Sequence, residues 1–391
     1  MDDKNIRTLT VLRKLLTDEV FGHFVAMRTG GTDELTAEFL AAAADCGAEQ
    51  DLCGYICRTI LSSENAFSMR CAAGKEPSPC LKKAYLRDIG LILGYIEGYD
   101  GDFCGLAQKG SPLPIFDMSD GREALYERLK NFYARYGCGQ FMQYRAFGYE
   151  DGQLVPVKNP SAVTLAQLKG YEEEKKAVET NIVSFLKGLP FGNMLLYGDR
   201  GTGKSSTVHA MLNKYWKDGL RIIELNKDNM LDLPKIRQKV TDNPLKFIIF
   251  IDDLSLNESD DKISGLKAAL EGSVSGNTEN TMIVATSNRR HIVKENFSDR
   301  ENSVHVNDSL QEQLSLSDRF GITVLFSSTD KAHYVDIVKE LLTDEGIEPD
   351  EKMLALAERW ALVKGGRSPR RARQFVDLAV SCIKLGKEIE F

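Results

Sequence analysis

The sequence predicts an α/β protein: a parallel sheet covered by helices on both faces, preceded by a mostly helical part and followed by a small all-helical unit. Three observations carry this. Between 193 and 326, short apolar runs of strand type alternate with stretches of helical periodicity, whereas apolar residues from 6 to about 139 recur mostly at helical spacing. After 331 come three helical segments with no strand between them. Where the first of the alternating strands meets its helix, Gly198-Asp199-Arg200-Gly201-Thr202-Gly203-Lys204-Ser205 fits the phosphate-binding pattern G-x-x-x-x-G-K-[ST] at every position.

In the first part, Leu9, Leu12, Leu15 and Leu16 recur at helical spacing, and 35–46, 82–96 and 122–136 behave likewise. The stretch 98–114, with Gly101, Gly105, Gly110, Pro112 and Pro114, reads as a long exposed loop. Segments 143–149 and 153–157 flank Asp151-Gly152, a turn dipeptide that predicts a hairpin. Lys158-Asn159-Pro160 then marks a boundary, which gives an N-terminal domain at 1–160, a sheet-bearing core at 161–326 and a helical unit at 327–391.

The core opens with Leu168-Lys169-Gly170-Tyr171 and an amphipathic helix over 172–187. Strands are expected at 193–197, 221–225, 247–251, 281–286 and 322–326, five in all, with helices at 206–217, 231–239 and 262–271 between them. Helices at 331–343, 351–360 and 369–384 complete the chain.

The chemistry follows from residue types at these junctions. Glycines let the loop backbone curl until its N–H groups face phosphate oxygens. Lys204 adds a mobile cation for the β- and γ-phosphates, and the Ser205 hydroxyl is placed for Mg²⁺. The helix that follows, beginning at Ser206, contributes its N-terminal partial charge. The apolar strand 247–251 ends in Asp252 and Asp253, at the position where parallel sheets bind ligands. Asp252 can hold Mg²⁺ directly or through water, and Asp253 can orient or deprotonate an attacking water. Strand 281–286 ends in Ser287-Asn288-Arg289-Arg290; beside the Asp252 strand, the Asn288 amide would reach the water, the plainer reading being a polar turn. Ser368 and Pro369 open the last helix as N-cap and first position, followed by Arg370, Arg371 and Arg373. Cations there oppose the macrodipole unless an anion lies near. A nucleotide would supply one to Arg370; a solvated basic face or a nucleic-acid stripe is the alternative.

Composition sets the remaining bounds. Over 391 residues, 42% are apolar and 27% charged, as in an ordinary soluble protein, and the net charge of −7 gives no overall attraction to nucleic acid. No run approaches the roughly 18 apolar residues of a membrane span, and Met1-Asp2-Asp3 lacks the basic start of a secretory signal. A cytoplasmic location without membrane partners is expected. The eight cysteines form no C-x-x-C pair and the five histidines do not cluster, which favours free thiols over a metal site.

Taken together, Gly198 to Ser206, Ile251 to Ser255, Ala285 to His291 and Ser368 to Arg373 resemble an AAA+ ATPase, and more narrowly a bacterial AAA+ family described only as an ATP-binding domain of unknown function. The resemblance covers about 168–385. It implies an αβα sandwich with a five-stranded parallel sheet and a helical lid, ATP with Mg²⁺ as cofactors, and a homo-oligomeric ring, commonly a hexamer. By resemblance Asn288 takes the sensor-1 role, Arg370 the sensor-2 role and Arg319 that of an arginine finger acting on a neighbouring subunit, with Arg289 and Arg300 as rivals; Leu168, Lys169, Gly170 and Tyr171 would line the adenine pocket. Many members carry glutamate where this chain has Asp253, whose shorter side chain reaches less far. The function implied is ATP-driven remodelling of a protein or protein–nucleic-acid client chosen by the N-terminal part. Two alternatives stand beside it: an ATP-gated switch or scaffold that hydrolyses little, and a DNA-directed loader using the basic surface of Arg289, Arg290 and 370–373.

Overall fold

The computed structural model describes residues 5–99, 108–254, 256–257, 266, 270, 279–288, 293–294 and 319–389. By its internal contacts the chain divides into two units, Met1–Tyr144 with Asp242–Leu245, and Arg145–Thr241 with Lys246–Phe391.

The first unit is helical throughout its described length: α1 (Glu19–Gly30), α2 (Asp33–Asp45), α3 (Leu52–Ser62), α4 (Ala66–Ala72), α5 (Pro79–Glu97), α6 (Arg122–Tyr136) and α7 (Gln140–Gln143). Asp18, Thr32, Asp51, Asn65 and Ser78 each cap a helix with a side-chain oxygen, which is why these polar residues fall just before apolar runs. The core is aromatic: Phe67 stacks on Tyr85 at 4.0 Å, and the Tyr133 hydroxyl, donating to the Ile60 carbonyl at 3.2 Å, accepts from Tyr85 at 2.9 Å. Asp88 is fully buried, and the backbone N–H groups of Thr10, Val11 and Leu12 donate to its carboxylate at 2.8 to 3.1 Å, offsetting the loss of water. Of the expected exposed loop at 98–114, residues 100–107 lie outside the described residues.

The second unit is built on a sheet. Its larger strands are β1 (Ala146–Glu150), β2 (Gln153–Pro156), β3 (Met194–Gly198), β4 (Leu220–Glu224), β5 (Lys246–Ile251), β7 (Thr281–Ser287) and β9 (Ile322–Phe326); the two-residue strands β6 (Leu256–Asn257) and β8 (Val293–Lys294) pair apart from it. The strand order is β2-β1-β4-β5-β7-β3-β9. All neighbours are parallel except the β1–β2 hairpin, which turns through Asp151 and Gly152 with φ of 46° and 74°. The expected five-stranded sheet is therefore corrected to seven strands. The hairpin expected within the N-terminal part joins the core sheet instead, because Ala146, Phe147 and Gly148 pair in parallel with Ile222, Ile223 and Glu224.

The expected layering of helices on both faces of a mostly parallel sheet otherwise stands. Met194, Ile248, Phe250 and Val284 point to one face of the sheet and share a core with Val178, Ile182 and Phe185 of α8 (Glu172–Leu186) and Val208 and Met211 of α9 (Lys204–Tyr215). The alternating residues Leu195, Ile249 and Ile283 are equally buried, so the sheet is covered on both sides, and α10 (Leu233–Val240) follows β4. Of the helix expected at 262–271, Leu266 and Leu270 are helical and the rest lie outside the described residues. The lid comprises α11 (Lys331–Asp344), α12 (Glu351–Val363) and α13 (Pro369–Lys384), capped by Asp330, Asp350 and Ser368 around Tyr334, Ile337, Trp360 and Phe375. No described helix is long and apolar enough to cross a membrane. The seven described cysteines are free thiols, with Cys104 outside that set, and the described residues hold no metal-type cluster of histidine, cysteine and carboxylates.

Candidate functional site

Parallel strands deliver the residues that follow them to one edge of the sheet. Gly198 is level with Phe326, Tyr197 with Ser287, and Ile251 with Ala285, so the phosphate loop, Asp252-Asp253 and Asn288 leave the sheet side by side.

At Gly198 the backbone takes φ 130°, and a β-carbon there would lie 2.1 Å from the Phe326 carbonyl oxygen. That carbonyl accepts from the Asp199 N–H at 3.0 Å, which fixes where the loop leaves β3. Thr202 is buried and its hydroxyl donates to the Asp199 carbonyl at 2.9 Å. Gly203, at φ 99°, is the residue before α9. Lys204, 7% exposed, folds its ammonium back onto the carbonyls of Gly198 and Asp199 at 2.9 and 2.7 Å. Burial lowers its pKa from the ordinary lysine value, against the attraction of Asp199, Asp252 and Asp253.

Ser205 donates to Asp252 Oδ1 at 2.5 Å, which brings together the two oxygens expected for a metal. Thr286, one residue before the end of β7, donates to the same Oδ1 at 2.5 Å, and its hydroxyl oxygen accepts the Asp253 N–H at 2.9 Å. Asp253 adopts φ 51°, a left-handed conformation that aspartate tolerates better than most residues, and its Oδ1 accepts from Asn288 Nδ2 at 2.6 Å. The polar turn after β7 is thus bound to the acidic turn after β5.

These groups face a cavity of about 980 Å³. Its floor is Arg200, Gly201 and 203–206 with Asp252, Asp253, Thr286 and Asn288; Val163, Gln167, Leu168 and Lys169 form one wall, and Ile337, Leu341, Pro369, Arg370 and Arg373 of the lid form the other. Lid and loop touch directly, the Arg370 N–H donating to the Gly201 carbonyl at 3.1 Å. A Lys169–Asp344 ion pair at 2.8 Å and an Arg373–Glu345 pair at 3.0 Å border the cavity. Val163, Leu168, Ile337 and Leu341 in the walls, with Arg200, Lys204, Arg370 and Arg373 around a carboxylate pair, suit a ligand with a flat apolar part and a polyanionic tail that carries a cation. The donor set fits Mg²⁺ with it, since a hydroxyl and a carboxylate are hard oxygen ligands.

Of the four residues expected at the adenine pocket, Leu168 and Lys169 line the cavity and Gly170 and Tyr171 do not: a β-carbon at Gly170 would meet the His333 ring, and Tyr171 is buried against Phe326 and His333 with its hydroxyl donating to the Ser327 carbonyl at 2.5 Å. Arg319 precedes β9 and so sits at the sheet edge away from the cavity, about 16 Å of strand from the Phe326 end. Arg289, Arg290 and Arg300 lie outside the described residues. Thr286 and Asp344 join the site with no motif in the sequence that marks them.

A family model described as "Protein of unknown function (DUF815)" matches residues 141–382. The chain is 30% identical over 107 residues to the magnesium-chelatase subunit ChlI of Olisthodiscus luteus, covering 27% of this chain and 29% of that protein. It is 25% identical over 198 residues to the replication factor C large subunit of Nanoarchaeum equitans, covering 49% and 40%. The alignments thus span well under half the length of these curated relatives. Among solved structures, the RuvB Holliday junction branch migration motor of Thermotoga maritima aligns with a TM-score of 0.41 at 15% identity, over 57% of this chain and 66% of that one.

Proposed function

The chain belongs to the DUF815 family, and we propose that this member is a Mg²⁺-dependent AAA+ ATPase that binds ATP, hydrolyses it to ADP and phosphate, and uses the cycle to remodel a protein or protein–nucleic-acid client. The observation that carries the reading is the meeting, at one sheet edge, of a complete phosphate loop with the Ser205–Asp252 contact at 2.5 Å and the Asp253–Asn288 contact at 2.6 Å.

In this reading the loop N–H groups from Gly198 to Ser206 hold the phosphates, and Lys204 turns from the loop carbonyls toward the β- and γ-oxygens. Ser205 and Asp252 would hold Mg²⁺, whose charge neutralises the phosphate oxygens. Asp253 accepts the proton of the attacking water while Asn288 fixes the carboxylate's direction. Arg370, at the lid side of the cavity, would answer the γ-phosphate and so tie lid position to nucleotide state. The base would lie between Leu168 and Ile337. Arg319 would act on a neighbouring subunit of a homo-oligomeric ring. The helical unit up to Tyr144 would select the client, 145–326, hairpin included, would form the nucleotide core and 327–391 the lid.

A second reading is favoured by one observation. Asp253 is short and already bound by Asn288, a combination that suits an ATP-gated switch with little turnover. Mg²⁺-ATP hydrolysis per subunit, measured over a wide range of protein concentration, separates the two. Specific activity that climbs with concentration supports the assembling ATPase. Tight ATP binding with activity flat near zero supports the switch, and a chain that binds no ATP sinks both.

A further inference from the structure

We propose that Thr286 is the positioning residue that sets the spacing and aim of Asp252 and Asp253, an inference that rests on the hydrolytic reading of the site. One residue of β7 holds three consecutive residues after β5. Thr286, 2% exposed, donates its single hydroxyl proton to Asp252 Oδ1 at 2.5 Å. With the proton committed there, a lone pair of the same oxygen takes the Asp253 N–H at 2.9 Å, and the Thr286 carbonyl takes the Leu254 N–H at 2.7 Å.

The consequence is directional. Holding the Asp253 N–H against β7 places that residue at φ 51°, and from there its carboxylate meets Asn288 Nδ2 at 2.6 Å. Thr286 near the end of β7 and Asn288 just beyond it therefore fix both acids: the first through the Asp252 carboxylate and the Asp253 N–H, the second through the Asp253 carboxylate. Asp252 keeps the Ser205 contact without the hydroxyl, whereas the Asp253 N–H loses its acceptor and the turn is left to the backbone bond at Leu254. Loss of the hydroxyl should fall on turnover and on the Mg²⁺ requirement. Nucleotide affinity, carried by the loop and Lys204, should change little.

The test uses the full chain as wild type, Thr286→Val and Thr286→Ser. Valine keeps the shape and removes both hydroxyl bonds; serine keeps both. Readouts are kcat at saturating Mg²⁺-ATP, the Mg²⁺ concentration for half-maximal rate, ATP affinity and thermal unfolding. Thr286→Val should lose about tenfold or more in kcat and need more Mg²⁺, with ATP affinity within about threefold; Thr286→Ser should stay within about threefold on every measure. Wild-type kcat and Mg²⁺ dependence in Thr286→Val, even with a lowered melting temperature, overturns the inference, as does a serine variant as slow as the valine one. If Thr286→Val does not fold, Thr286→Cys decides: a weaker donor of similar size should give an intermediate rate, and a wild-type rate overturns the proposal. A wild-type chain with no turnover overturns the hydrolytic reading itself, and this inference with it.

Discussion

Lys204 is held in an environment that costs its charge. Its ammonium is buried and satisfied by two carbonyls rather than by an anion, so its pKa lies below the ordinary lysine value. Between that lowered value and the unfolded one, the unfolded chain carries more protons than the folded chain, so stability of the free protein rises with pH across this window. Phosphate oxygens pull the same pKa back up. ATP affinity should therefore fall as pH rises through the lowered value, opposite in sign to the stability trend. Calorimetric titration with ATP from neutral to alkaline pH checks this, and an affinity indifferent to pH removes Lys204 from the phosphate contact. Saturation with ATP at about 100 times Kd should stabilise the wild type by about 2.7 kcal/mol, with no shift for Lys204→Ala in thermal unfolding. Two of the three loop glycines separate backbone strain from collision. Gly203→Ala meets nothing within 4 Å and should cost about 1 to 2 kcal/mol for its left-handed φ. Gly198→Ala adds a clash with the Phe326 carbonyl and should cost clearly more in urea unfolding; equal losses would mean that β9 yields to the loop.

At the level of elements, α13 links lid to loop through its first turn. Ser368 caps that turn by accepting the Arg371 N–H at 3.3 Å, and the preceding amide, that of Arg370, donates to the Gly201 carbonyl. Ser368→Ala should cost about 1 kcal/mol in denaturant unfolding and weaken ATP binding, because the turn that presents Arg370 is loosened. Unchanged ATP affinity with the stability loss present would show that the cap serves the lid alone. Such local features were legible in the sequence: the phosphate loop, the Ser368-Pro369 start and the strands buried on both faces are each written in consecutive residues. What was not legible depended on partners distant in the chain. The alternation around Asp151-Gly152 predicts a hairpin, yet nothing in residues 146–156 names β4 as the neighbour that draws it into the sheet. Tyr171 sits beside a helix start that suggests a pocket wall, but its hydroxyl is claimed by Ser327 across the fold. Thr286 reads as one more β-branched strand residue, and its three bonds to 252–254 emerge only once β5 and β7 are neighbours.

For the whole molecule, the decisive geometry is the position of Arg319 relative to the cavity in its own unit. It stands before β9, at the end of the strand opposite Phe326 and Gly198, and the chain after it is committed to the sheet from Ile322 onward. An arginine there cannot swing past its own strand to the phosphates, so a role for it in hydrolysis requires a second copy. That requirement is open to a test that a single-subunit mechanism cannot pass. Arg319→Ala subunits keep an intact phosphate loop, and Lys204→Ala subunits keep an intact arginine; each alone should show less than about a tenth of wild-type turnover. Mixed in equal amounts before assembly, they form interfaces in which an intact loop faces an intact Arg319. Turnover should then rise well above the mean of the two separate preparations, and should depend on total protein concentration as wild type does. Recovery that never exceeds the mean would place the finger elsewhere, on a residue within the loop-bearing subunit or on a different arginine of its neighbour. Substituting Arg289 and Arg300 in turn, in the same mixing design, then separates those cases.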